Sequence, residues 1–284
     1  MPVSKRIWRW TRRVPATQED AWREQISILG IEGLVIHGRP RALIIHLELY
    51  DASPVALREL AGALGGRVTA VDAEKITERA NIPRRPLSIA RDLGVIDTSG
   101  RWPSKLPRPA ILLEVGSAMA FGTGEHATTA SCLRLLQAES ENLDAGWSCL
   151  DLGTGSGILA MAAEKLGAGS VTAIDYDPRA VRAARANARR NRCRRVQLAE
   201  GDLRHWRPGC NRYRIVLANV FSEILRGAAA HIARSVARRG GCLLLSGILR
   251  SQEQEVLSSF IPLGFVLEKT TGRGKWVTLQ LRAT

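Results

Sequence analysis

The sequence of 284 residues contains no apolar run approaching the roughly 18 residues that a membrane-spanning helix needs. That argues against a helical membrane protein. The first 15 residues, MPVSKRIWRWTRRVP, are basic but lack an apolar h-region, so no secretory signal is expected. An arginine-rich, acid-poor start is also a transit-peptide composition. This one is short, and Ile7, Trp8, Arg9 and Trp10 suit the opening of a strand. The five cysteines (Cys132, Cys149, Cys193, Cys210, Cys242) form no C-x-x-C pair, and no histidine stands at ligand spacing. No metal site is expected. Their odd number and wide spacing favour free thiols in a reducing cytoplasm. There is no internal repeat, no low-complexity tract, and no convincing Ser/His/Asp or Cys/His constellation. A content of 45% hydrophobic and 24% charged residues excludes a disordered chain, a collagen-like fibre and a coiled coil.

Acidic residues are also scarce. There are 27, against 41 basic ones, leaving a net charge of +14. Such a balance suits nucleic-acid or other acidic partners, although a coding bias toward arginine would produce it too. One run is concentrated: Arg179, Arg182, Arg185, Arg189, Arg190, Arg192, Arg194 and Arg195, with no acid among them. It reads either as a solvated helix face or as a patch for RNA or phosphate.

The length allows one large domain or two smaller ones. Residues 1–75 read as β-α-β-β-α-β, the split βαβ order. Strands are expected at Ile7–Arg13, Gly33–His37, Ala42–Leu49 and Arg67–Val71, with a turn at Gly38-Arg39-Pro40. A helix over Gln18–Leu29 would take Thr17 as its N-cap, with Asp20 completing a near capping box. A second helix over Pro54–Leu64 would be stopped by Gly65-Gly66. His37 and His46 read as packing or surface residues. Residues 76–109, with Pro83, Pro86, Pro103, Pro107 and Pro109, read as a linker with one hairpin near Leu87–Ile96. From residue 110 to 284, strand and helix alternate, which predicts a doubly wound α/β parallel sheet. Helices are expected over Ala130–Gln137, Arg179–Arg190, Ser222–Arg238 and Gln252–Phe260. Ligands on such sheets bind beyond the carboxyl ends of the strands.

One segment is placed for that role. Asp151-Leu152-Gly153-Thr154-Gly155-Ser156-Gly157 follows an apolar strand and opens a helix. Glycine admits positive φ and close backbone approach, and a helix N-terminus offers free N–H groups. The spacing is G-x-G-x-G. A dinucleotide fingerprint would place its third glycine at Ile158, which disfavours a nicotinamide enzyme. Asp175 ends the next strand, where a carboxylate accepts both hydroxyls of a ribose.

This arrangement resembles the class I S-adenosylmethionine-dependent methyltransferases. The resemblance implies that Gly153, Gly155 and Gly157 lie against the amino-acid part of the cofactor and that Asp175 holds its ribose. It places an acid after the third strand near the adenine. Asp202 suits that position, though a turn cap explains it as well. A closer resemblance appears in Phe121-Gly122-Thr123-Gly124-Glu125-His126-Ala127-Thr128-Thr129, with DLGTGSGILA (151–160), Ala218-Asn219 and Leu245-Ser246-Gly247-Ile248-Leu249. Over about residues 110–284 the chain is similar to the ribosomal protein L11 methyltransferase family.

That resemblance implies an enzyme methylating lysine and N-terminal amino groups of ribosomal protein L11, with a ferredoxin-like N-terminal domain recognising the protein substrate. Carried over by motif, the cofactor contacts are Thr129, Gly153, Asp175 and Asn219. Thr129 also reads as a helix N-cap. Asn219 would be catalytic, its amide oxygen accepting from the incoming amine; an Asx-turn is its other role. Within the motifs, His126 reads as a structural hydrogen-bonding residue. The chain departs from the family pattern at Glu125, Ala127, Val220-Phe221-Ser222, Lys275 and the lead-in Leu113–Ala120, all apart from those cofactor positions. Other readings are a methyltransferase of another protein lysine or of RNA, and a non-catalytic ribosome-binding relative. The absence of Asn-Pro-Pro-Tyr after the fourth strand argues against base amino methylation.

Overall fold

The computed structural model describes residues 6–28, 34–37, 42–51, 53–72, 86–98, 100–116, 126–206 and 212–284. The expected turn at Gly38-Arg39-Pro40, the motif residues Phe121–Glu125 and Cys210 lie outside these. Met1–Ile82 and Pro83–Thr284 form two compact units.

The first unit runs β1 (Arg6–Pro15), α1 (Glu19–Ile28), β2 (Val35–His37), β3 (Ile44–Asp51), α2 (Pro54–Leu64) and β4 (Arg67–Asp72). Its sheet order is β2-β3-β1-β4, with every pair antiparallel. This is the topology of a split βαβ. Period-2 patterning sets the buried face. Ile45, Leu47 and Leu49 of β3 point inward, whereas Ile44 and His46 are exposed. They pack with Trp10, Trp22, Ile26, Leu57 and Leu60. Ser53 caps α2, accepting from the Val55 N–H at 3.3 Å. Gly65 ends that helix with φ 68°; Gly66 follows with φ 106°, and a Cβ there would lie 2.5 Å from Trp10 Nε1. The same indole donates to the Gly65 carbonyl at 2.9 Å, so the glycine pair serves both turn and core. Thr17 lies two residues before α1 starts at Glu19. It sits in a 3-10 turn, Ala16–Gln18, that begins directly at the end of β1.

The second unit opens with a small sheet of β5 (Leu87–Ser88), β6 (Leu93–Asp97) and β7 (Ile111–Val115). β5 and β6 form the expected hairpin, and β7 adds in parallel. Leu93, Val95, Leu113 and Val115 join the large core that follows. The main sheet has the order β10-β9-β8-β11-β12-β14-β13. Its strands are β8 (Ser148–Leu152), β9 (Ser170–Asp175), β10 (Val196–Glu200), β11 (Ile215–Asn219), β12 (Cys242–Leu249), β13 (Phe265–Arg273) and β14 (Trp276–Ala283). The first five positions are parallel. The last two are antiparallel, so the sheet is mixed rather than wholly parallel. Only two residues join β13 to β14, and so short a link allows only an antiparallel pair.

Successive residues of the central strands feed opposite faces. Ile215 and Leu217 enter one core with Cys242 and Leu244, whereas Val216 and Ala218 enter the other with Leu243 and Leu245. Helices α3 (Ala127–Ser140), α4 (Ile158–Lys165) and α5 (Pro178–Arg190) contribute to the first core. Helices α6 (Ser222–Gly227), α7 (Ala229–Ser235) and α8 (Glu253–Phe260) cover the second. Burial on both faces explains the near-continuous apolar runs. The single helix expected over Ser222–Arg238 is broken. It is interrupted at Ala228, directly after Gly227, and its second part ends at Ser235, where Val236 forms a parallel bridge to Tyr213.

Candidate active site

The carboxyl edge of β8 becomes the glycine turn. Gly153, Gly155 and Gly157 have φ of 71°, 55° and 82°, a region costly for residues bearing Cβ. The N–H groups of Gly153 and Thr154 both donate to the Ile174 carbonyl at 2.9 Å, which ties the turn to the end of β9. Asp151 is fully buried beneath it. Its Oδ2 accepts from the Thr154 hydroxyl at 2.6 Å and the Ala160 N–H at 3.2 Å. Its Oδ1 is buried without a partner among the described residues. Burial pushes the Asp151 carboxyl up to about 7, against the pull of those two donors. The sequence reading assigned Asp151 no role of its own; an acid just before the glycines was the available signal.

Asp175 lies at the end of β9, and the structure brings it onto the turn. Gly155 N–H donates to its Oδ2 at 2.8 Å, and Asp177 N–H donates to its Oδ1 at 3.0 Å. Each carboxylate oxygen keeps a free lone pair for a further donor. The Gly201 N–H bonds the Asp175 carbonyl at 2.9 Å. Asp202 itself is turned to its own loop. Arg204 engages its carboxylate through Nε at 3.0 Å and Nη2 at 2.6 Å, and the Arg204 N–H adds a bond at 2.9 Å. Those bonds hold its carboxyl down at about 2.

Asn219 ends β11, and its Nδ2 donates to Thr129 Oγ1 at 3.3 Å. Asn219 Oδ1 is buried and has no partner among the described residues. Thr129 is almost wholly buried in the first turn of α3, which starts three residues earlier than expected. His126, not Thr129, is the N-cap, with its ring Nδ1 2.7 Å from Thr128 Oγ1. The His126 ring also meets Trp276 edge-on at 5.2 Å, and the Lys275 ammonium lies 5.4 Å from the centre of that indole.

Two further features were not read from the sequence. Val220, after Asn219, is wedged between two glycines. A Cβ on Gly153 would lie 2.5 Å from Val220 Cγ1, and one on Gly247 would collide with the Val220 carbonyl. Gly247 occupies a register shift of β12 with φ 80°, as a β-bulge requires. Asn187 of α5 donates to the Ser156 carbonyl at 2.9 Å and accepts from the Gly116 N–H at 3.1 Å. It ties the glycine turn to the strand leading toward residues 117–125. Both signals depend on spatial neighbours distant in the chain.

The ribosomal protein L11 methyltransferase (PrmA) family model matches residues 68–284. A ribosomal protein L11 methyltransferase of Geobacter metallireducens is 41% identical over 201 residues, which cover 70% of this chain and 62% of that protein. The chain thus covers less than two thirds of that relative's length. One from Dechloromonas aromatica is 37% identical over 239 residues, covering 81% of this chain and 75% of the relative. The solved structure of a ribosomal protein L11 methylase from Lactobacillus delbrueckii subsp. bulgaricus aligns with a TM-score of 0.63 at 26% identity. It covers 71% of this chain and 100% of that one. With the glycine turn bonded to Asp175 and Thr129 bonded to Asn219, the chain belongs to the ribosomal protein L11 methyltransferase family.

Proposed function

We propose that this chain is an S-adenosylmethionine-dependent protein N-methyltransferase acting on lysine and N-terminal amino groups of ribosomal protein L11. The carrying observation is the Asn219 carbonyl oxygen, buried and unpartnered among the described residues, beside Thr129 at the carboxyl edge of the sheet. A buried acceptor left without a donor is costly, and an incoming amine supplies one.

The residues fit the cofactor. Asp175 retains acceptor capacity for two ribose hydroxyls, and the positive-φ turn Gly153–Gly157 brings backbone close to a ligand. In this reading Gly153, Gly155 and Gly157 meet its amino-acid part, Thr129 and Asn219 its reactive end, and Asp202 the adenine. Bound S-adenosylmethionine supplies a methyl group activated on a sulfonium. The chain's own work is to receive a neutral amine. Lysine has a reference pKa near 10.4, and burial lowers it by disfavouring the charged form. Asn219 Oδ1 then accepts one amine N–H and aims the nitrogen lone pair, while the buried surroundings keep water out. No strong general base is required.

The split βαβ unit recognises the protein substrate in this reading, and RNA or the ribosome is the further partner of a chain with net charge +14. Cytoplasmic location agrees with the free thiols of Cys132, Cys149, Cys193 and Cys242. No helix among the described residues is long and apolar enough to cross a membrane. The test is transfer of labelled methyl from S-adenosylmethionine to purified ribosomal protein L11, to total ribosomal protein and to RNA. Transfer to the purified protein that disappears in Asp175→Ala supports the reading. Transfer only to another protein or to RNA overturns the substrate.

A further inference from the structure

We propose that the arginine face of α5 and the turn after it form a docking surface for the phosphate backbone of RNA, separate from the methyl-transfer site. α5 buries Ala180, Val181, Ala184, Asn187 and Ala188 against the sheet. The opposite arc carries Arg179, Arg182, Arg185, Arg189 and Arg190, all exposed. At about 1.5 Å per residue these span roughly 16 Å of helix axis. Arg192, Arg194 and Arg195 continue the exposed series beyond the helix.

An ordinary solvated face mixes charges and forms i,i+4 pairs. Here Arg185 and Arg189 stand at i,i+4 with the same sign, an arrangement that disfavours the helix. Arg179 pairs with Asp177 at 3.1 Å. Among the described residues, Arg185, Arg189, Arg190, Arg192 and Arg194 have no acidic side-chain partner. Glu164 accepts instead from the backbone N–H groups of Arg194 and Arg195, at 2.9 and 2.8 Å.

The base of the surface is fixed. Asn191 accepts from the Glu114 N–H at 2.8 Å and donates to its carbonyl at 2.7 Å, and Asn187 anchors the helix one turn earlier. The guanidiniums therefore project from a backbone already held in place, and each can engage a phosphate through two N–H groups. No large apolar side chain is exposed between residues 177 and 197. A membrane-surface helix needs such a face, and so does the apolar centre of a protein interface. Choosing RNA among polyanions rests on the proposed ribosomal substrate; the charge and geometry of the surface do not.

The test is fluorescence anisotropy of the full chain, without cofactor, on a mixed-sequence RNA of about 20 nucleotides over about 50 to 200 mM salt. Three proteins are compared: the wild type, a variant with Arg182, Arg185, Arg189 and Arg190 changed to Gln, and one with Arg101, Arg108, Arg238 and Arg239 changed to Gln. Arginine and glutamine have similar helix propensity, so α5 should persist. The α5 variant is expected to bind at least about tenfold more weakly. Its log K against log salt should flatten by roughly 3, at about 0.7 per single-strand phosphate contact. The second variant should keep most of its affinity. No RNA binding by the wild type, an unchanged α5 variant, or equal loss in both variants overturns the proposal. So does binding only to anionic phospholipid vesicles, which would assign the face to a membrane surface. Methyl transfer to isolated ribosomal protein L11 is read in parallel and should be unchanged in the α5 variant. If the wild type transfers no methyl while RNA binding still depends on α5, the enzymatic reading fails and this one stands.

Discussion

The side-chain amide of Asn219 donates to the Thr129 hydroxyl across 90 residues of chain, which leaves the Asn219 carbonyl oxygen buried and without a partner among the described residues. The bond fixes which end of the amide is offered at the sheet edge. Asn219→Ala should lower kcat on the order of 100-fold, as loss of one positioned hydrogen-bonding group does elsewhere, more than it weakens cofactor affinity through its contact at the reactive end. Thr129→Val keeps the shape but removes the acceptor, and kcat should fall about tenfold. Single-turnover methyl transfer checks both. Full activity in Thr129→Val would show that the amide needs no such anchor.

Asp175 receives two backbone N–H groups on separate oxygens. In Asp175→Asn one of them faces an NH2 group, donor against donor. Cofactor affinity should drop about 10- to 100-fold, the range of one or two charge-assisted hydrogen bonds. Asp202→Ala should cost less than tenfold, since that carboxylate is already bound to Arg204. Titration calorimetry with S-adenosylmethionine measures each. A larger loss for Asp202 than for Asp175 would reverse their roles.

The wedge at Val220 predicts an asymmetric rescue. Gly153→Ala and Gly247→Ala should each destabilise the fold by about 2 kcal/mol or more, through positive φ and close contact. Adding Val220→Ala should recover part of the loss at Gly153, where the clash is with a side-chain methyl, and none at Gly247, where it is with the backbone carbonyl. Gly146→Ala, with φ 101° and no atom near its Cβ position, isolates the conformational cost. Chemical denaturation of these five variants and of Val220→Ala alone reads the cycle, and equal rescue at both glycines contradicts the geometry.

Asp151 makes stability depend on pH. Its folded pKa is raised to about 7 by burial, whereas the unfolded value is near 3.9. The folded chain therefore keeps a proton that the unfolded chain releases. Its contribution is fullest below about pH 4, declines as pH rises to about 7, and is level above that, a change of up to about 4 kcal/mol. Asp151→Asn cannot ionise. Relative to that variant, the wild type should be less stable at pH 8 than at pH 5 in urea unfolding. A difference independent of pH would mean that the carboxyl stays ionised throughout.

Each compact unit carries its own core. Removal of residues 1–82 should leave S-adenosylmethionine affinity within about threefold while methylation of ribosomal protein L11 falls at least about tenfold. Filter-binding and transfer assays on the same preparation compare the two. Retained turnover removes the recognition role of the first unit.

The alternation of strands and helices, the glycine turn and the terminal acid of β9 were legible because each is a local pattern. Apolar period, glycine and a strand-end carboxylate are written within a few residues of one another. The mixed sheet was less legible, since period alone does not report strand direction. His126 as N-cap of α3 escaped notice because threonine is the commoner cap. The break at Ala228 follows Gly227, a weak helix former that was the available signal, whereas the end at Ser235 depends on the bridge between Tyr213 and Val236, which no local pattern reports.

By itself the sequence determined the element order, the two-faced burial of the central strands and the residues gathered at their carboxyl ends, because side-chain periodicity dictates local conformation and which face is apolar. Only the tertiary structure decided that Asn219 meets Thr129, that Gly155 meets Asp175, and that Val220 needs both Gly153 and Gly247. Those contacts depend on strand register and on close approach of segments far apart in the chain, and no local propensity specifies either.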